Sequence, residues 1–125
     1  MTVALLIFLS VLVFTASRTD AGSGSCPQWE KMFKEFGLPP RTFSKIAWRE
    51  SRCNPKSVSA VRYTGRPDVG LLQIQGSWRT VTRQVCKLKP GQDHIKALTK
   101  PKCNVAVARH LYNDGGLEHW KGSSK

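Results

Sequence analysis

Acidic residues are scarce in this chain. Eight aspartates and glutamates stand against 20 lysines and arginines, a formal charge of +12 over 125 residues. Long apolar runs are also missing. The longest, Val3 to Ala16, spans 14 residues, short of the roughly 18 that a membrane-spanning helix requires. There is no C-x-x-C pair, and His94, His110 and His119 are scattered, so no metal-ligand spacing exists. Each histidine is expected to face solvent or cap an element. No internal repeat occurs, and the length suits one domain with one modest core. A charged fraction of 22% with 9% aromatics argues against a wholly disordered chain.

The 14-residue apolar run has the length of the central region of a secretory signal. Thr19-Asp20-Ala21, ahead of Gly22, offers a small-residue cleavage site, although the amino-terminal flank carries only the terminal amine. The expected organisation is a signal peptide over 1–21, a Gly/Ser linker over 22–25, a domain over 26–122 and a tail over 123–125. A buried element and an uncleaved anchor are the alternatives for the apolar run. Cleavage would remove Arg18 and Asp20 together and leave the charge at +12. All four cysteines, Cys26, Cys53, Cys86 and Cys103, lie beyond the signal. An even count in an exported chain reads as two disulfides.

Within the domain, Trp29, Met32, Phe33 and Phe36 form one apolar stripe of a helix that opens at Pro27. Gly37 and Pro39-Pro40 end it. A second helix is expected from Thr42 as N-cap to Asn54-Pro55, with Phe43, Ile46 and Ala47 on its apolar face. Residues 54–67 read as irregular loop, and Val69 to Gln75 as strand or turn. Further helices are expected over Ser77–Cys86 and Asn104–Asn113, with a helical turn near Ile95–Leu98 in the loop between them. Two helices joined by a short loop lie antiparallel. That brings Cys26 towards Cys53 and Cys86 towards Cys103, the pairing preferred among the three that four cysteines allow.

Glu50 breaks the pattern. The other carboxylates of the domain, Glu30, Glu35, Asp68, Asp93, Asp114 and Glu118, fall on polar faces, in loops or at helix ends. Glu50 falls seven residues after Phe43, on the apolar face of its helix. Desolvation there raises a carboxyl pKa, and a helix C-terminus pushes the same way. A carboxyl that holds its proton near neutrality is what a general acid requires. Snorkelling of Glu50 out of a frayed helix end fits the pattern equally well. Asp68, between Pro67 and Gly70, is expected to be solvated and ionised. One protonated and one ionised carboxyl is the pairing used to cleave glycosidic bonds. An aspartate before a turn is commonplace, however, and is weak by itself.

The motifs carry a resemblance. Glu50-Ser51-Arg52-Cys53-Asn54-Pro55 resembles the catalytic-glutamate motif of the lysozyme-like superfamily, and Asp68-Val69-Gly70-Leu71-Leu72-Gln73-Ile74 resembles its second motif. Asn104-Val105, Leu111-Tyr112, Gly115-Gly116 and Trp120 are similar to the later helix of soluble lytic transglycosylases and c-type lysozymes. The likeness covers about residues 43–120. It implies a mainly α fold of the lysozyme-like α+β kind, with a short β-turn segment and two disulfides. It also implies cleavage of the β-1,4 bond between N-acetylmuramic acid and N-acetylglucosamine in peptidoglycan. Glu50 matches the catalytic acid and Ser51 a supporting serine. Gln73, with Gly70 and Leu72, matches positions at the saccharide cleft. Asp68 holds the place of the second carboxylate of c-type lysozymes. Transglycosylases usually lack it and use the substrate's own 6-hydroxyl. Two departures are visible. Gln75 replaces the asparagine common in c-type enzymes. Leu111-Tyr112-Asn113-Asp114-Gly115 only partly echoes the Ala-Tyr-Asn-Ala-Gly loop of transglycosylases and sits on another helix, so no role passes to Tyr112.

The resemblance implies no cofactor and no metal. The expected partner is peptidoglycan, with anionic wall polymers as further candidates for a +12 surface, and the protein is expected to be a secreted monomer. Lys87, Lys89, Lys96, Lys100 and Lys102 crowd one loop. Trp48, Trp78 and Trp120 suit either the core or stacking on sugar rings. A non-catalytic cationic antimicrobial or wall-binding protein of the same fold is the alternative. A nucleic-acid-binding module fits poorly, because basic charge alone is unspecific.

Overall fold

A computed structural model describes residues 24–61 and 65–124. The expected signal peptide therefore lies outside the described residues. The chain runs through α1 (Pro27–Glu35), α2 (Pro40–Ser51), β1 (Asp68–Val69), β2 (Ile74–Gln75), α3 (Arg79–Val85), α4 (His94–Leu98) and α5 (Pro101–Gly115). A 3-10 turn, Glu118–Trp120, follows. Among the described residues the fold is mainly helical with one two-stranded sheet, and no helix there is long and apolar enough to cross a membrane.

Proline opens three of the helices. Pro27, Pro40 and Pro101 each stand in the first turn, where the missing N–H is no loss and the fixed φ suits the helix. For α2 and α5 this overrides the expected starts. Pro40, not a Thr42 cap, begins α2, and α5 begins three residues ahead of Asn104. Gly37 ends the α1 segment at φ +80°, a conformation that side chains disfavour. Its open face receives the Arg109 guanidinium, which donates to the Phe36 and Gly37 carbonyls.

The disulfides join Cys26 to Cys53 and Cys86 to Cys103, as the antiparallel argument prefers. The first closes the α1–α2 hairpin. The second ties the end of α3 to the first turn of α5.

The core centres on Phe43. Its ring meets Trp120 edge-on at 5.0 Å, Tyr112 edge-on at 5.5 Å and Phe33 at 6.2 Å. Ile46, Leu71, Leu72, Ile74, Leu98, Val105 and Val107 pack in the same core, all fully buried. The segment expected as strand or turn is both. β1 and β2 pair antiparallel, Asp68 opposite Gln75 and Val69 opposite Ile74, with a four-residue reversal between them. Asn104 braces that reversal from α5. Its Nδ2 donates to the Val69 and Leu98 carbonyls at 2.8 Å each, and its Oδ1 accepts from the Leu72 N–H at 2.9 Å. A fully buried amide with these partners meets the demand that buried polar groups be satisfied.

The histidines depart from expectation. His110 is exposed, but His94 is buried, with Nε2 2.8 Å from the Gly76 carbonyl. His119 is half-buried against Trp120. Periodicity does not reveal either, because both sit at short helical turns where no stripe exists to be read.

Candidate active site

Glu50 stands in the last turn of α2. The chain reverses sharply just beyond it. Arg52 and Cys53 take φ +54° and +67°, a region costing an ordinary residue roughly 1–2 kcal/mol. The reversal is held by Arg52 N–H to the Trp48 carbonyl, Cys53 N–H to the Ala47 carbonyl and the Trp29 indole N–H to the Cys53 carbonyl. The first disulfide anchors the same turn.

The Glu50 carboxyl is half-buried. Desolvation pushes its pKa above the ordinary carboxylate value, and the like charge of Asp68 pushes the same way. A hydrogen bond from Ser123 Oγ to Oε2 opposes both. Ser123 is buried, and its carbonyl accepts from Arg49 Nη1 at 2.9 Å. Its hydroxyl also lies 3.3 Å from the Trp120 carbonyl. A hydroxyl both donates and accepts. Ser123 therefore suits Glu50 in either state, donating to the carboxylate, or accepting from the acid while turning its own proton to Trp120.

Asp68 comes from β1, half-buried, opposite Gln75. Its N–H donates to Ser59 Oγ at 3.0 Å, and its carbonyl accepts from the Ser59 N–H at 2.9 Å. The fold thus brings the two carboxyls, 18 positions apart in sequence, within electrostatic reach of each other. The reversal after Asp68 turns on Gly70 at φ +84°. A Cβ there would lie 2.2 Å from Asn104 Nδ2 and 2.3 Å from the Leu98 carbonyl oxygen, so only glycine fits.

Residues 27–117 match the family described as Transglycosylase SLT domain. The chain belongs to that family. Membership makes it a lytic, transglycosylase-like protein whose substrate in general is peptidoglycan. No curated protein and no solved structure matches it.

The remaining residues expected at the site of this SLT domain are buried. Ser51 is buried, and its hydroxyl bridges the Leu71 carbonyl at 2.7 Å and the Ala47 carbonyl at 3.0 Å, pinning α2 to the reversal. Leu72 is fully buried, its N–H held by Asn104 and its carbonyl by the Trp120 indole at 2.9 Å. Gln73 is 8% exposed at φ +49°, its amide donating to the Ser57 and Gly70 carbonyls at 3.1 Å each. Gly70, Leu72 and Gln73 build the loop that presents Asp68. Of the tryptophans considered for sugar stacking, Trp120 is core, Trp48 is half-buried beneath the Arg52 guanidinium at 4.7 Å, and Trp78 is exposed.

Two contributors went unrecognised in the sequence. Ser123 falls in the expected tail, yet it is packed in the fold. His119 donates to the Gln73 carbonyl and lies in the field of Asp68, and its ring stacks edge-on against Trp120 at 4.8 Å and near Trp78 at 6.4 Å. Burial nevertheless holds its pKa below the ordinary histidine value. Both residues follow the stretch that matches the SLT family. The one signal available for either was adjacency to Trp120. Among the described residues no group of three or more side chains could hold a metal ion.

Proposed function

We propose that the protein is secreted and cleaves peptidoglycan glycan strands at the β-1,4 bond between N-acetylmuramic acid and N-acetylglucosamine, with Glu50 as general acid. The observation that carries this reading is a half-buried carboxyl, its pKa raised by burial, within electrostatic reach of a second acidic side chain, Asp68. Glu50 donates its proton to the glycosidic oxygen as the bond to C1 of the muramic sugar breaks. The oxocarbenium-like centre is then stabilised or attacked by Asp68. The acceptor, whether water or the 6-hydroxyl of the same sugar, returns a proton to Glu50. SLT membership supports the 6-hydroxyl, and Asp68 supports water. Trp78, exposed beside His119, supplies an aromatic face for a sugar ring.

Mass spectrometry of fragments released from purified peptidoglycan tests the proposal, with Glu50→Gln as control. Reducing muramic ends identify hydrolysis, and 1,6-anhydro ends identify transglycosylation. Wild-type release no greater than that of the control sinks the catalytic reading in favour of a cationic wall-binding protein.

A further inference from the structure

A cavity of about 580 Å³ lies apart from the Glu50 site. Lys96, Lys100, Gln92, Asp93 and the Cys86–Cys103 disulfide line it, and none of Glu50, Asp68, His119 or Ser123 does. The surrounding segment is strongly basic. Lys87, Lys89, Lys96, Lys100 and Lys102 fall within it, with Asp93 as its one acid. None of these lysines forms an ion pair among the described residues, where the pair found is Lys121 with Glu118. Asp93 is committed to capping α4, accepting from the Ile95 N–H at 3.0 Å.

The cavity wall is fixed in advance. Arg83 donates to the Gln92 carbonyl at 2.7 Å and the Lys89 carbonyl at 2.9 Å. This clamps the Lys89–Gln92 turn and adds a sixth cation beside it. The Lys89 N–H donates to Gln92 Oε1 at 2.7 Å. The disulfide holds the α3 and α5 ends that flank the cavity. A concave, braced wall whose ammonium groups outnumber its one carboxylate, Asp93, matches a phosphate, which offers several strong acceptors.

We infer that this cavity is an anion-binding site for the phosphodiester groups of a wall polymer, a chain of polyol phosphates. The exposed large hydrophobics described are Val58, Val61 and Trp78, and none lines the cavity. Its apolar lining is confined to Leu88, Ala97 and the disulfide, so it has no exposed large hydrophobic to insert into a membrane surface and no aromatic platform for single-strand nucleic-acid bases. The choice of a wall polymer among phosphate carriers rests on the peptidoglycan reading above. Seated there, the polymer would hold the enzyme on the wall while the Glu50 site works on glycan.

Calorimetric titration with poly(glycerol phosphate) at fixed ionic strength tests the inference, using the full chain carrying Glu50→Gln. Binding is then read without cleavage, and failure of the catalytic reading shows separately, as absent fragment release by wild type. Adding Lys96→Gln with Lys100→Gln should weaken binding about tenfold or more, since two charge-assisted contacts are lost. Lys31→Gln with Lys34→Gln on α1 removes the same charge from an exposed helix and should weaken it about twofold at most. Equal losses for the two pairs, or no loss for the first, would overturn the site. Tighter binding of the unmutated cavity to phosphatidylglycerol vesicles or single-stranded DNA than to the polymer would also overturn it.

Discussion

The Glu50 region and the lysine cavity handle charge in opposite ways. Around Glu50, ionisable groups are few, half-buried and individually partnered: Glu50 with Ser123, and His119 with the Gln73 carbonyl. Around the cavity, six cations stand in a short stretch of surface, and its lysines have no ion-pair partner among the described residues. Burial tunes a single proton in the first region. Charge density makes a field in the second. The first should therefore answer to single substitutions and to pH, the second to paired substitutions and to salt. Asn104 joins the two, bonding Val69 and Leu72 on one side and Leu98 on the other.

The largest expected effect comes from removing the acid. Glu50→Gln should lower turnover on peptidoglycan by about a thousandfold while the chain stays folded. It should also raise thermal stability at neutral pH. The folded carboxyl holds its proton above the ordinary carboxylate value of 4.5, so above that pH the unfolded chain releases a proton that the native chain retains. Stability conferred by Glu50 is therefore full below 4.5 and lost as pH rises through the folded pKa. The gain of the variant should vanish below about pH 4.5 in melting curves recorded across pH.

Asn104→Ala should break the joint between the regions. Three buried hydrogen bonds disappear, and denaturant melts should show a loss of about 3 kcal/mol or more. Gly70→Ala attacks the same joint from the other side and should be comparably harmful, because its Cβ has no room.

Ser123→Ala is milder and sharper. It removes the bond that lowers the Glu50 pKa, so the alkaline limb of the activity profile should move to higher pH. A drop in activity with an unmoved limb would limit Ser123 to packing. His119→Gln tests the opposite sign. Burial holds the native histidine below the ordinary value of 6.5, so native stability falls as pH drops through 6.5, and the variant should flatten that fall. The smallest effect belongs to the cavity. Lys96→Gln with Lys100→Gln should leave stability within about 0.5 kcal/mol and cleavage of polymer-free peptidoglycan unchanged.

What was legible in the sequence follows from what is periodic. The Phe43–Ile46–Ala47–Glu50 spacing shows an acid on an apolar face, and antiparallel helices suffice to pair the cysteines. The helix starts at Pro40 and Pro101 were hidden because proline, a breaker inside helices, is a good first residue. Ser123 was hidden for a stronger reason. Its partner is 73 residues away, and no local pattern marks a serine that returns to a distant helix end. His94 and His119 owe their burial to single turns packed on the core, where position along the chain carries no burial signal.

The central claim is that burial makes Glu50 the proton donor. Its most direct test is a titration of the Glu50 side-chain carboxyl by ¹³C NMR, beside the pH profile of glycan cleavage. The account predicts a midpoint above 4.5 that coincides with the falling limb of activity, and both should move down together in Asp68→Asn, where the neighbouring charge is gone. A Glu50 that titrates at or below 4.5, or a falling limb unrelated to its titration, would contradict it.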